Sequence, residues 1–159
     1  MKEDLKEKLK FYVRILAIKP GAGYMDTVYT QYVLVELEDG QKAYVFDGAF
    51  EGHMLCTPEM IGKTQKIVLV MLVHSLVKMG TQAVSVTPDP SRPSLDIDGR
   101  IDEIIIPDDL SDAERWHDLI VDFGVGKILI EIDKRYFHLQ LKEGDYVHAN
   151  GRVDLRGIE

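Results

Sequence analysis

The densest run of binding chemistry in the chain is Tyr146, His148, Asn150, Arg152, Asp154 and Arg156, spaced at every second position. A β-strand of that register carries all six on one face, because successive side chains alternate across a sheet. Two guanidinium groups, a phenol ring, an imidazole and an amide together suit a small ligand or a single nucleic-acid strand, with rings for stacking and cations for anionic groups. The alternative is an ordinary solvent face on which Arg152, Asp154 and Arg156 pair with one another. Lys134-Arg135-Tyr136-Phe137-His138 is a second place where positive charge meets rings. It reads as a loop near that face, with Arg135 and Tyr136 as its candidate contacts.

The residues for covalent or metal chemistry are sparse. Cys56 is the one cysteine, with His53 three positions before it, and no nucleophile motif surrounds the pair. His53, His74, His117, His138 and His148 form no His-x-x-x-His pair. His74 sits in the most apolar segment and reads as a structural, hydrogen-bonded residue. Lys19-Pro-Gly-Ala-Gly-Tyr24 holds a Gly-x-Gly, but no Gly-Lys-Ser/Thr and no helix follow, so it reads as an inter-strand loop and not a phosphate cradle. No catalytic residue, metal or cofactor is expected. A small metal-dependent hydrolase would need carboxylates and histidines from distant segments to converge.

Charge is distributed unevenly. The chain carries 19 basic and 27 acidic side chains, a formal −8. Residues 1–80 are balanced at ten of each sign, whereas 81–159 hold nine basic against seventeen acidic. Segment 96–118 has nine Asp/Glu and only Arg100 and Arg115. That surface repels phosphate backbones, so it is expected either to be simply solvated or to dock a basic protein partner, with Asp102, Asp108, Asp109 and Asp112 as contacts. The spacing lacks the Asp-x-Asp-x-Asp-Gly loop of a calcium hand.

What must position these groups is mostly strand. At 159 residues with 45% hydrophobic content, the chain can bury a core without staples. One cysteine excludes an internal disulfide and fits a reducing compartment. The mixed-charge start at Met1–Lys8 does not read as a signal peptide, and no apolar run approaches the ~20 residues of a membrane helix, so a cytoplasmic location is expected. Val33–Asp47 reads as a hairpin around Asp39-Gly40, a favoured pair for a two-residue type I′ turn. That turn pairs Val35 with Tyr44 and Val33 with Phe46, which makes Tyr44 and Phe46 core residues. Leu119–Asp133 aligns with Val33–Asp47 without a gap, 86 residues on, with Leu119, Val121, Phe123, Ile128, Ile130 and Ile132 as its core face. Tyr12–Pro20 and Gly99–Pro107 are matching strands closed by proline, and Gly62 and Gly144 each launch a long strand. Ile67–Val73 is apolar on both faces and is expected to be buried between the halves, or else to form a homodimer contact. Short helices are predicted at Thr57–Gly62, from a capping box at Ser111–Glu114 through Trp116, and as a turn or two over Lys2–Lys10.

The resulting order of strand, hairpin, short helix and long strand resembles the OB-fold barrel. So does the phrase Leu141-Lys-Glu-Gly-Asp-Tyr-Val-His-Ala-Asn-Gly-Arg-Val-Asp-Leu155, although SH3-like barrels share its Gly-Asp-x-Val. The second half departs from the pattern by placing its helix before the hairpin. The expected architecture is therefore mainly β: two tandem OB-like or small β-barrel units, 1–79 and 98–159, joined by a Pro-rich connector at 80–97. The expected function is a non-catalytic binding or assembly module, with single-stranded RNA or DNA binding as the alternative that the resemblance implies.

Overall fold

The computed structural model describes residues 1–159 and is mainly β with short helical pieces. In its N-terminal half lie helix α1 (Glu3–Leu9) and strands β1 (Phe11–Pro20), β4 (Gln31–Glu36), β5 (Lys42–Asp47) and β6 (Thr64–Lys78). The C-terminal half adds β7 (Ser85–Pro88), β8 (Ser94–Ile105), helix α2 (Leu110–Ala113), β9 (Trp116–Asp122), β10 (Lys127–Asp133) and β11 (Tyr146–Ile158). Two-residue strands β2 (Gly23–Tyr24) and β3 (Thr27–Val28) pair as a small ribbon with its tip at Met25-Asp26, so the Gly-x-Gly segment is the first arm of a hairpin.

The strand pairings close two five-membered rings. One runs β1–β4–β5–β11–β6 and returns to β1; the other runs β6–β10–β9–β8–β11 and returns to β6. The long strands β6 and β11 belong to both rings and pair antiparallel from Val147↔Lys78 to Ile158↔Ile67. Each ring takes one parallel pairing from the other half of the chain, β5 with β11 and β10 with β6. Closure leaves few free edges, which suits a chain so rich in apolar strand.

The interiors share one core. Along β6, Ile67, Leu69 and Met71 point inward, while Val68 and Val70 point outward and meet Leu9 of α1 together with Ile120 and Leu129. The doubly apolar run is thus buried by the shared core on one face and by a helix on the other, where the sequence alone suggested burial between halves. Gly151 makes that seam possible: a Cβ there would sit 2.3 Å from the Leu72 carbonyl oxygen, and the β6–β11 register shifts between Asn150 and Gly151 as expected of a bulge.

Two local expectations need correction. The first hairpin does not turn in two residues. Leu37 N–H donates to Gln41 O at 2.8 Å and Gly40 lies at φ +87°, a three-residue loop with a left-handed glycine. Val35 therefore pairs with Ala43 and Val33 with Val45; the core face is Val33, Val35, Leu37, Ala43 and Val45. Tyr44 and Phe46 consequently lie on the outer face, half-buried. The second correction concerns α2. Its N-cap is Asp109, whose carboxylate accepts from Asp112 N at 3.0 Å, and Trp116 already opens β9.

The remaining elements follow the pattern of the residues. Leu119, Val121, Phe123, Ile128, Ile130 and Ile132 are all buried, as alternation requires. Pro58–Met60 forms the short 3-10 helix placed there by proline at its start. Lys134–Leu139 is also a 3-10 helix where a loop was expected, capped by Asp133, whose Oδ1 accepts from Arg135 N at 2.9 Å.

Candidate functional site

The outward register of β5 is what creates the principal concavity. A groove of about 540 Å³ lies on the outer surface where both halves of the chain meet, lined among others by Tyr32, Phe46, His74, Arg92, Asn150 and Arg152. A smaller hollow of about 240 Å³ shares Tyr32 and Arg92 and adds Lys19 and Tyr44. Tyr32 of β4 pairs in register with Phe46 of β5, and their rings stand 5.8 Å apart. This is the cross-strand aromatic pair of an antiparallel ladder, here facing solvent.

Cations stand beside these rings. The Arg152 guanidinium lies 4.7 Å from the centre of Phe46, and Lys19 Nζ lies 4.9 Å from that of Tyr44 while donating to its hydroxyl at 2.6 Å. Arg156 stacks on Phe50 at 4.0 Å. Arg152 is held in place by Asp154, which accepts from its Nε and Nη2 at 2.8 and 2.9 Å. Arg156 reaches the same carboxylate at 3.8 Å. The ion pairs foreseen for a plain solvent face thus exist, and they also fix two guanidinium groups beside two rings.

Backbone anchoring makes the groove rigid. Arg92 sits in the turn between β7 and β8, where Asp89 Oδ1 accepts from the N–H groups of Ser91 and Arg92 at 2.9 and 3.0 Å. Val153 N–H donates to Pro93 O at 2.8 Å and ties that turn to β11. Gln41 Nε2 donates to Val86 O at 3.0 Å and ties the first hairpin to β7. On the far side, the fully buried Asp47 carboxylate accepts from Gln31 Nε2, Leu55 N and Cys56 N at 3.0, 2.8 and 2.9 Å and from Ala49 N at 3.2 Å. Asp47 thereby holds the loop that carries Phe50.

Placed on this frame, the sequence-derived candidates separate. Asn150 and Arg152 line the groove, whereas Arg156 lies outside its lining and stacks on Phe50. Tyr146 and His148 lie farther along β11, opposite Arg100 and Asp98. His148 Nδ1 is 2.5 Å from Asp98 Oδ1; its Nε2 is 2.8 Å from Asp96 Oδ1, an ion-pair contact without hydrogen-bond alignment. The Asp98 hydrogen bond raises the imidazole pKa against the opposing effect of burial, with Asp96 adding to it. Arg135 is engaged by Asp133, and Tyr136 reaches the His74 carbonyl at 3.5 Å; neither lines the groove. His74, read as structural, is exposed and lines it. Tyr44 and Phe46 were missed because a one-residue error in the turn reversed the faces of β5, and Tyr32, Lys19 and Arg92 because only the strand pairings bring them to those rings.

The acidic candidates also divide. Burial works against ionisation of Asp102, yet Lys127 and Arg100 hold its carboxyl below the usual range, with contacts of 2.8 Å to each. Asp108, Asp109 and Asp112 lie on the connection through α2 and line none of the principal concavities; an apolar hollow of about 280 Å³ is lined by residues such as Ile104, Ile106, Leu119, Ile132 and Phe137. No group of three or more His, Cys, Asp or Glu is arranged to hold a metal ion. Burial, with Asp47 nearby, pushes the Cys56 thiol up to about 11, so it is a thiol and not a thiolate at neutral pH. No helix is long and apolar enough to cross a membrane.

No family model matches the chain, and no curated protein matches it in sequence. Among solved structures, a match covers 93% of this chain and 94% of the cytoplasmic molybdate-binding protein ModG, crystallised with molybdate bound, at 18% identity and a TM-score of 0.47. A likeness of that degree carries no argument about what the present chain binds.

Proposed function

We propose that the protein is a non-catalytic binding module that takes an anionic ligand bearing flat rings into the groove between its two strand rings, each read as an OB-like small barrel. The observation that carries this is the meeting of Tyr32 and Phe46 with Arg92 and Arg152 in one concavity of about 540 Å³. Rings and cations at that spacing serve stacking and charge neutralisation together. In this reading the halves 1–79 and 98–159, joined through 80–97, act as one binding body, since the groove takes residues from each. The cation-bearing face also answers the objection from net charge: the acidic excess sits in 96–118, on other strands and on α2. The single cysteine supports a cytoplasmic setting.

The test is a titration with uridine monophosphate and with short uridine oligomers, followed by tyrosine fluorescence. Saturable binding is expected, weakened about tenfold or more by Arg92→Ala or Arg152→Ala, since loss of a charge-assisted contact costs roughly 1.5–3 kcal/mol. Saturable binding indifferent to both substitutions, or none at 50 mM salt, contradicts the reading.

The reading as a protein-assembly surface rests on Asp108, Asp109 and Asp112 around α2, with Leu110 81% exposed between them in the chain. Its test is a triple Asp108/Asp109/Asp112→Asn variant in a pull-down. Release of a partner by this variant supports it; unchanged capture removes it.

A further inference from the structure

We infer that the apolar hollow beside the 3-10 helix Lys134–Leu139 is a second binding site, which takes a small, flat, uncharged aromatic molecule carrying one hydrogen-bond donor. This site is separate from the groove and does not depend on the reading given above.

Its place follows from the strand pairings. His117 and Leu119 share the inner face of β9, where His117 pairs with Ile132 of β10 and Leu119 with Ile104 of β8. Leu119 and Ile132 are buried, so the floor of the hollow is the core of the second ring itself. Phe137 adds a wall from the 3-10 helix, and Ile106, 56% exposed, marks the mouth. The chain leaves about 280 Å³ unfilled there, and no Asp, Glu, Lys or Arg lines it. The atoms lining such a space lack partners on one side, and an apolar surface holds water poorly, so an apolar guest restores contacts that the fold does not make. An apolar cavity of about 150 Å³ takes one benzene ring. The hollow, at about 280 Å³, has room for two fused rings.

His117 sets the polarity of the guest. Its ring stacks on Phe137, with centres 4.2 Å apart and planes within 13°. Its Nε2 lies 3.0 Å from the Ala113 carbonyl oxygen at the end of α2. A carbonyl oxygen only accepts, so Nε2 carries the proton and Nδ1 of the neutral ring is left as an acceptor without a partner in the chain. A hydroxyl or a ring N–H satisfies that nitrogen. A carboxylate or phosphate brings a further acceptor and meets no cation. Gln140 lines the same hollow at φ +51°, a left-handed conformation that glycine takes at less cost. Its exposed carboxamide supplies a polar contact at the mouth. Charge therefore sorts the two concavities: the groove with Arg92 and Arg152 suits anions, and the hollow suits neutral rings.

The experiment is calorimetric titration of the full chain with 2-naphthol, naphthalene and 2-naphthoate at about pH 8, above the ordinary histidine range. Intermolecular nuclear Overhauser effects then locate the bound naphthol. Saturable binding with contacts to the Leu119 and Ile132 methyl groups is expected. Naphthol is expected to bind about fivefold tighter than naphthalene, the increment of one neutral hydrogen bond. His117→Phe keeps a flat ring on Phe137 and removes Nδ1. It is expected to bring naphthol down to the affinity of naphthalene and to leave naphthalene unchanged, with a thermal melt verifying the fold. The wild-type contacts and affinity ratio test the site without the variant. Equal wild-type affinity for naphthol and naphthalene overturns the donor requirement, and 2-naphthoate bound in the hollow as tightly as naphthol overturns the preference for neutral ligands. Naphthol contacts at Tyr32 and Phe46 in place of Leu119 and Ile132 overturn the hollow as the site while sparing the groove. Naphthol binding that fades as the chain dimerises in sedimentation gives the hollow to a second copy and overturns the small-molecule reading. Absence of naphthol binding at about 1 mM overturns it as well.

Discussion

The β4–β5 and β9–β10 hairpins occupy corresponding places in the two rings, yet they present opposite outer faces. In β9–β10 a two-residue loop, Gly124-Val125, joins Phe123 to Gly126, and the outward Ile120 and Leu129 are covered by Leu9 of α1. In β4–β5 a three-residue loop joins Leu37 to Gln41, and the outward Tyr32, Tyr44 and Phe46 are left open beside Lys19 and Arg152. The inner faces are alike and aliphatic. The difference shows that ring closure depends on the inner register alone, which leaves the outer face of each hairpin available for a separate role: helix docking in one, ligand contact in the other.

The comparison can be broken most severely at the seam that both rings share. Gly151→Ala places a Cβ 2.3 Å from the Leu72 carbonyl oxygen, and neither backbone can retreat without parting β6 from β11. A loss of about 3 kcal/mol or more is expected in denaturant unfolding, in a single transition because both rings own these strands. Two separate transitions would show that the rings fold independently.

Next in size is the contrast between the aspartates that close the two hairpins. Asp47 is fully buried and accepts four hydrogen bonds, whereas Asp133 is part-exposed and serves Arg135. Asp47→Ala strands buried donors and is expected to cost about 2–3 kcal/mol and to release the loop bearing Phe50. Asp133→Ala is expected to cost less than about 1 kcal/mol. Equal costs would remove the distinction between the two hairpins.

A smaller effect tests the turn itself. Gly40→Val forces a β-branched residue toward φ +87° and is expected to cost about 1–3 kcal/mol. Deletion of Glu38 leaves Asp39-Gly40 as a two-residue loop and keeps Leu37 opposite Gln41, so the aromatic face and its ligand affinity are expected to survive. Loss of affinity in the deletion would mean that the loop, and not the register it sets, builds the groove.

The smallest effects are in pH. Burial and the neighbouring Glu131 raise Asp118 to about 6, so the folded state favours its protonated form and stability declines as pH rises from about 4 through 6. Asp118→Asn is expected to gain about 1 kcal/mol at pH 7, after allowance for solvent screening, and nothing at pH 4. His148 acts in the same direction, because its raised pKa stabilises the fold below its unfolded value, about 6.5, and that contribution is lost as pH rises through the folded value. Its partners, Asp96 and Asp98 on β8 with Ser85 bonded to Asp98, tie the β7–β8 hairpin to β11, so ligand affinity is expected to decline mildly from pH 6 to 9. His148→Gln is expected to flatten that decline; an unchanged profile would remove His148 from it.

How much of this was legible in the sequence follows from the same hairpins. Alternation in β11 and in β9–β10 located the inner residues because their inward positions are aliphatic while the outward ones on β11 are polar. In β5 the alternation is ambiguous: Ala43 and Val45 are smaller than Tyr44 and Phe46, so hydrophobicity alone puts the aromatic pair inside. A left-handed Gly40 fits either loop length; what decides is Asp39, which does not take the positive φ of a two-residue type I′ turn, and a gapless alignment of the two hairpins conceals the one-residue difference between their loops. Arg92 was illegible for another reason. Its approach to Arg152 depends on the Val153–Pro93 bond between segments about sixty positions apart, which no local pattern records. The α2 cap was missed by two residues because Asp109 and Ser111 are equally competent caps by type.

The most direct measurement is a titration of the hexauridine RNA into the isotopically labelled chain, followed by aromatic ring resonances. Progressive, saturable shifts at Tyr32, Tyr44, Phe46 and Phe50, with Trp116 and Phe137 unmoved, are the expected result. Shifts centred on Tyr136 and Phe137, or no shifts at all, would contradict the assignment of the aromatic groove as the binding site.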